Sequence, residues 1–155
     1  VNNDKEKYHE LIEIALSDIQ PESKRAVWAL DTAFDFNQNM IVPYISRIIA
    51  KMPEFKEERN QGSFLHLFSR IKFNFEDEDE NLGILFDFCI HVLRSEKVSM
   101  YMKFYSMQVL ENIGKQLPEL APEICLEINE NMNRYDREHL RNSARKIIDD
   151  LEKLV

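Results

Sequence analysis

The stretch Ala26-Val-Trp-Ala-Leu-Asp-Thr-Ala-Phe34 places apolar residues at 26, 30 and 34, one helical turn apart and so on one face of a helix. The same phrase recurs as Ser63-Phe-Leu-His-Leu-Phe-Ser-Arg-Ile71, Tyr105-Ser-Met-Gln-Val-Leu-Glu-Asn-Ile113 and Ser143-Ala-Arg-Lys-Ile-Ile-Asp-Asp-Leu151. Its starts at 26, 63, 105 and 143 lie 37, 42 and 38 residues apart. A period of about 40 residues with two helices per unit predicts an all-α chain, an α-α superhelix of about four antiparallel helical hairpins. Such units cannot bury their apolar faces alone, so they stack and build one extended surface.

Working outward, each phrase is preceded by a first helix and a turn. The expected first helices are 8–17, 40–52, 82–93 and 122–132, and the second helices 22–37, 58–73, 98–114 and 136–154. Pro21 is suited to start the second helix of the first pair. Aligned columns such as Leu30, Leu67, Val109, Ile147 and Phe34, Ile71, Ile113, Leu151 form the buried face. The column Lys24, Gln61, Lys103, Arg141 is expected to point outward. The segment 73–80 reads as the longest irregular connection, and the polar last helix as a cap that closes the stack.

At 155 residues, with 44% hydrophobic and 31% charged residues, the chain is long enough for one domain, 1–155, with a real core. Only three glycines occur, too few for a phosphate-cradling loop, so nucleotide sites of that kind are excluded. A net charge of −8 disfavours nucleic acid and anionic membrane surfaces. The longest apolar stretch, 82–93, is too short to cross a bilayer. No signal peptide is recognisable in the residues given, which begin at Val1 rather than Met. Cys89 and Cys125 lie far apart in apolar segments and read as two buried free thiols of a cytoplasmic protein.

The four hairpins resemble HEAT repeats, an armadillo-like architecture. Ser23-Lys-Arg-Ala-Val-Trp-Ala-Leu30, residues 96–110 and Asn142-Ser-Ala-Arg-Lys-Ile-Ile148 are similar to segments of short HEAT-like proteins of the Bacteroidetes group, over residues 8–150. Members of that group often carry the label adenylosuccinate lyase. The S-S-x-M-P-x-K-x-N loop of the lyase superfamily has no counterpart here, so the resemblance transfers no catalytic residue. It implies that second helices line the concave side of the stack.

Chemistry-bearing clusters are sparse. The acidic run 76–80 fails the EF-hand pattern, because from Asp77 the sixth position is Leu82 and the twelfth Phe88; it reads as a solvated loop before a helix. His9, His66, His91 and His139 share no i, i+4 face, so no metal site and no cofactor is expected. Serines such as Ser63 and Ser143 fall in the small-residue column of the repeat, which packing explains.

Two features point to binding. Arg134, Arg137, Arg141 and Arg145 step by three and four and are expected on one helical face, either as a basic patch for an acidic or phosphate-bearing partner or in the pairs Glu138–Arg141 and Arg145–Asp149. Trp28, the only tryptophan, aligns with Leu65, Met107 and Arg145, a row that either packs between units or forms an apolar strip ending in a positive charge. The candidate binding residues are thus Trp28, Lys103, Arg141 and Arg145. The leading expectation is a non-catalytic interaction module or scaffold that binds another protein or peptide. The alternative is a DNA-binding protein of the HEAT-like DNA glycosylase type, with Trp28, Asp31 and Arg145 as its aromatic, acidic and basic set. A purine-pathway lyase stands third.

Overall fold

The computed structural model describes residues 4–73 and 75–155, with side chains described for all of these except 75–79. The α-helices are α1 (Lys5–Leu16), α2 (Glu22–Phe34), α3 (Ile45–Lys51), α4 (Glu58–Phe68), α5 (Phe75–Arg94), α6 (Met100–Gln116), α7 (Ala121–Met132) and α8 (Glu138–Glu152). They form four hairpins in two layers. The second helices pack in a row, α2 on α4, α4 on α6 and α6 on α8. Behind them α3 packs on α5 and α5 on α7, while α1 joins through a 3-10 segment, Gln38–Tyr44.

The apolar columns explain the second-helix row. Leu30, Leu67, Val109 and Ile147 are all buried, as are Phe34, Ile71, Ile113 and Leu151. The core they begin runs from Tyr8 in α1 to Leu151 in α8. In the third column Ala26 is buried, whereas Ser63, Tyr105 and Ser143 are half-buried. At its last position the stack ends on the amphipathic α8, which turns Leu140, Ala144, Ile147 and Leu151 inward.

Side chains brace neighbouring units. Asp18 holds a left-handed backbone (φ 56°), which Asp tolerates, and its carboxylate accepts the Lys56 amide at 3.0 Å. The buried Asn60 amide donates to Ser23 Oγ at 2.6 Å. Between the second and third units Asn112 Nδ2 donates to the carbonyls of Phe68 and Ile71, both at 2.8 Å, satisfying acceptors that the end of α4 leaves without in-helix donors. Arg47 pairs with Glu13, and Arg94 with Glu127.

Three local expectations are corrected. The helix expected over 40–52 is α-helical only over Ile45–Lys51, because Pro43 has no N–H and its ring opposes an α-turn; the chain winds there as a 3-10 segment instead. The connection expected over 73–80 is mostly helix, since α5 begins at Phe75. Acidic residues at an N-terminus favour such an extension, and the acidic run 76–80 falls on it; Asn74 and the side chains up to 79 lie outside the described residues. The last helix starts at Glu138, so Arg134 and Arg137 belong to the preceding turn, which is anchored by the buried Tyr135.

Candidate functional site

The predicted row Trp28, Leu65, Met107, Arg145 does not form a surface strip. Leu65 and Met107 are each 0% exposed and pack in the core, whereas Trp28 is 72% exposed and Arg145 lies open on α8. The register itself holds, since the columns of Leu30 and Phe34 are buried in all four units; α2 and α8 each pack against one neighbouring second helix, whereas α4 and α6 pack against two, so this column is covered only in the middle of the row.

Trp28 instead faces a cavity of about 520 Å³ between α2 and α4. Lys24 flanks it on α2, Arg59 and Ser63 on α4, and Tyr101 on α6. Tyr101 also borders a smaller cavity of about 200 Å³, walled by Phe104, Tyr105 and His139. Met100 and Leu140 are shared by that cavity and a third, of about 460 Å³, which holds Lys103, Arg134 and Arg137. Neighbouring cavities share wall residues, so the three line up as a groove along the second-helix row from α2 to α8.

An aromatic chain forms its floor. Tyr101 meets Tyr105 edge-on at 4.7 Å between centroids, Tyr105 meets Phe104 at 5.2 Å, and Phe104 stacks on His139 at 6.3 Å. Tyr101, Phe104 and Tyr105 share a face of α6 by their i, i+3, i+4 spacing. Below them His66 packs edge-on against Tyr105 at 5.1 Å and bonds Asp31 at 3.0 Å. Burial raises the Tyr105 phenol above its ordinary value. Gly62 makes room for the Tyr101 ring, since a Cβ there would sit 2.0 Å from Tyr101 Cε1.

Gln61, Lys103 and Arg141 do not point outward as predicted; only Lys24 of that column is exposed. Gln61 Nε2 donates to the Met52 carbonyl at 3.0 Å, and Lys103 Nζ to the Ser95 carbonyl at 2.6 Å. Arg141 Nη1 donates to the Tyr135 carbonyl. Each side chain reaches back to carbonyls at or after the end of the preceding helix, which have no in-helix donors. Lys103 lies over the Tyr135 ring at 4.9 Å, and burial lowers its pKa.

The expected arginine stripe is split. Arg134 and Arg137 flank Tyr135 in the turn, while Arg141 and Arg145 sit on α8. The pairs Glu138–Arg141 and Arg145–Asp149 do not form; Arg145 donates to Asn142 Oδ1 at 2.9 Å instead. The set Trp28, Asp31, Arg145 is not brought together. Asp31 is bound to Arg70 and His66, and α4 and α6 stand between the helices of Trp28 and Arg145. Cys89 is buried and Cys125 is half-buried, a correction to the expectation of two buried thiols, because α7 turns Cys125 toward the edge of α8.

Sequence reasoning missed Tyr101, Phe104, Tyr105 and Arg59. The signal was present in Tyr101-Met-Lys-Phe-Tyr105, an aromatic face that the apolar columns leave unused. Among the described residues no three His, Cys, Asp or Glu side chains converge to hold a metal ion, and no helix is long and apolar enough to cross a membrane.

Two layers of stacked helical hairpins with a groove across the second helices define an α-solenoid. The chain belongs to the HEAT repeat family, whose repeat domain matches residues 1–151. No curated protein and no solved structure matches it.

Proposed function

We propose that this protein is a non-catalytic interaction module that binds a segment of another protein in the groove across α2, α4, α6 and α8. The observation that carries the proposal is Trp28, a 72% exposed indole at the mouth of a cavity of about 520 Å³. An indole left in water forgoes about 2 kcal/mol or more of burial free energy, which a partner recovers. Tyr101 and Phe104 continue the apolar path, and aromatic anchors beside arginines are the composition that protein interfaces favour. HEAT repeats commonly mediate protein interactions, which supports the same reading. The free thiols of Cys89 and Cys125 fit a reducing, cytoplasmic setting.

The test compares proteins captured from native lysate by the wild type, Trp28→Ala and Tyr101→Ala. Partners held by the wild type and lost from both variants are expected. An identical set on all three proteins would place the interaction elsewhere and sink the reading.

A further inference from the structure

The two ends of the groove differ from its middle. The centre, at Tyr101, Phe104 and Tyr105, is aromatic, whereas basic side chains stand at both ends. Lys24 and Arg59 flank Trp28 at one end, and Arg134 and Arg137 stand at the other. None of these four is in an ion pair or a side-chain hydrogen bond, whereas Arg47, Arg70 and Arg94 elsewhere are each paired with a carboxylate. With Lys103 the groove holds five cations against three carboxylates, Glu58, Glu96 and Asp136, in a chain whose net charge is −8. A positive excess gathered in one channel of a negative molecule raises the local concentration of anionic segments and repels cationic ones.

We infer that the occupant of the groove is an acidic peptide segment, bound extended, with apolar side chains at its centre and carboxylates near both ends. This rests on the interaction reading above and gives its partner a chemistry. Packed helices lie about 9 Å apart, so crossing from α2 to α8 spans about 27 Å, the length of about eight extended residues. The apolar centre of the peptide covers the aromatic floor from Trp28 to Phe104. Its terminal carboxylates reach Lys24 and Arg59 at one end and Arg134 and Arg137 at the other, where guanidiniums free of other partners can take them two-pronged. A nucleic-acid strand could stack on the aromatic floor equally well, but it carries a phosphate at every step, so its central phosphates would lie over a floor with no lysine or arginine, whereas a peptide with carboxylates only near its ends places its charge at the basic ends; the peptide is favoured.

The experiment pans a random eight-residue peptide library against the intact protein and then titrates the selected peptides, following the fluorescence of Trp28. Selected sequences are expected to carry more Asp and Glu than Lys and Arg around an apolar centre. Their affinity is expected to fall about ten-fold or more in Arg134→Glu/Arg137→Glu and separately in Arg59→Glu, and to weaken with salt. Circular dichroism and thermal melts verify that these surface variants keep the fold. Selection of basic or uncharged peptides whose binding still needs Trp28 would overturn the acidic occupant and leave the interaction reading standing. If no peptide binds in a Trp28-dependent way, both fall. A single-stranded oligo-dT that quenches Trp28 more tightly than any selected peptide would overturn the peptide in favour of nucleic acid.

Discussion

At the scale of single residues, exposure separates binding side chains from structural ones. Trp28 contributes almost nothing to the core, so Trp28→Ala is expected to change stability by no more than about 0.5 kcal/mol while abolishing groove binding. Urea melts and the fluorescence anisotropy of a dye-labelled selected peptide, which needs no tryptophan, measure the two effects independently. Asn60 is the reverse case: it is buried, and its amide bonds Ser23, whose side chain is fully buried. Asn60→Ala leaves that hydroxyl with a weakened network and opens a small void, for an expected loss of about 2 kcal/mol in urea unfolding. Gly62 belongs to the site by way of its neighbour. In Gly62→Ala the new methyl displaces the Tyr101 ring, so the ring resonances of Tyr101 should shift in NMR spectra and groove binding should weaken. Unchanged Tyr101 signals would show that the ring does not depend on that gap.

At the scale of helices, the hairpins are locked by side chains that return to the turn before them. Lys103 is the clearest example, since its ammonium caps the end of α5 and also lies over the Tyr135 ring. Lys103→Met retains the packing and removes the donor, and it is expected to cost about 1–2 kcal/mol, measured by urea unfolding. A loss no larger than that of an exposed lysine such as Lys97 would show that water replaces the ammonium at no cost. The column holding Gln61, Lys103 and Arg141 was legible in the sequence as polar and periodic, but its direction was not. A long polar side chain at a helix surface either enters water or bends to the nearest unpaired carbonyl, and that carbonyl belongs to a different helix.

At the scale of the whole molecule, burial couples the fold to alkaline pH. It pushes the Cys89 thiol from 9.0 up to about 12 and the Tyr135 phenol from 10.0 up to about 12, and it raises Tyr8 as well. Unfolding returns each group to its ordinary value. Between the ordinary and raised values the folded chain therefore holds protons that the unfolded chain has lost, and stability falls as pH rises. Lys103 acts with the opposite sign, because its lowered pKa makes its share of stability grow as pH approaches 10.5. Burial also raises Tyr105 and Cys125, and these five raised groups outweigh one lowered group, so urea midpoints are expected to hold steady to about pH 9 and then to decline. The double variant Cys89→Ala/Tyr135→Phe should flatten that decline. Its phenylalanine is tolerated because the Tyr135 hydroxyl has no hydrogen-bond partner. An equally steep decline in the variant would assign the effect to other groups.

The sequence alone specifies the all-helical stack. A buried column such as Leu30, Leu67, Val109 and Ile147 repeats at one register, and only stacked hairpins bury it. It also marked Trp28 as unusual, because an indole stands beside the apolar column rather than in it. Which residues join Trp28 depends on how the helices pack. Leu65 and Met107 share its column in the aligned sequence yet lie in the core, while Tyr101 and Arg59, which do not align with it, wall its cavity. Helix periodicity is a property of one segment, whereas the rotation and offset of each helix against the next depend on side-chain volumes at contacts between segments. The groove is made of those offsets, so it exists only once the four hairpins are packed together.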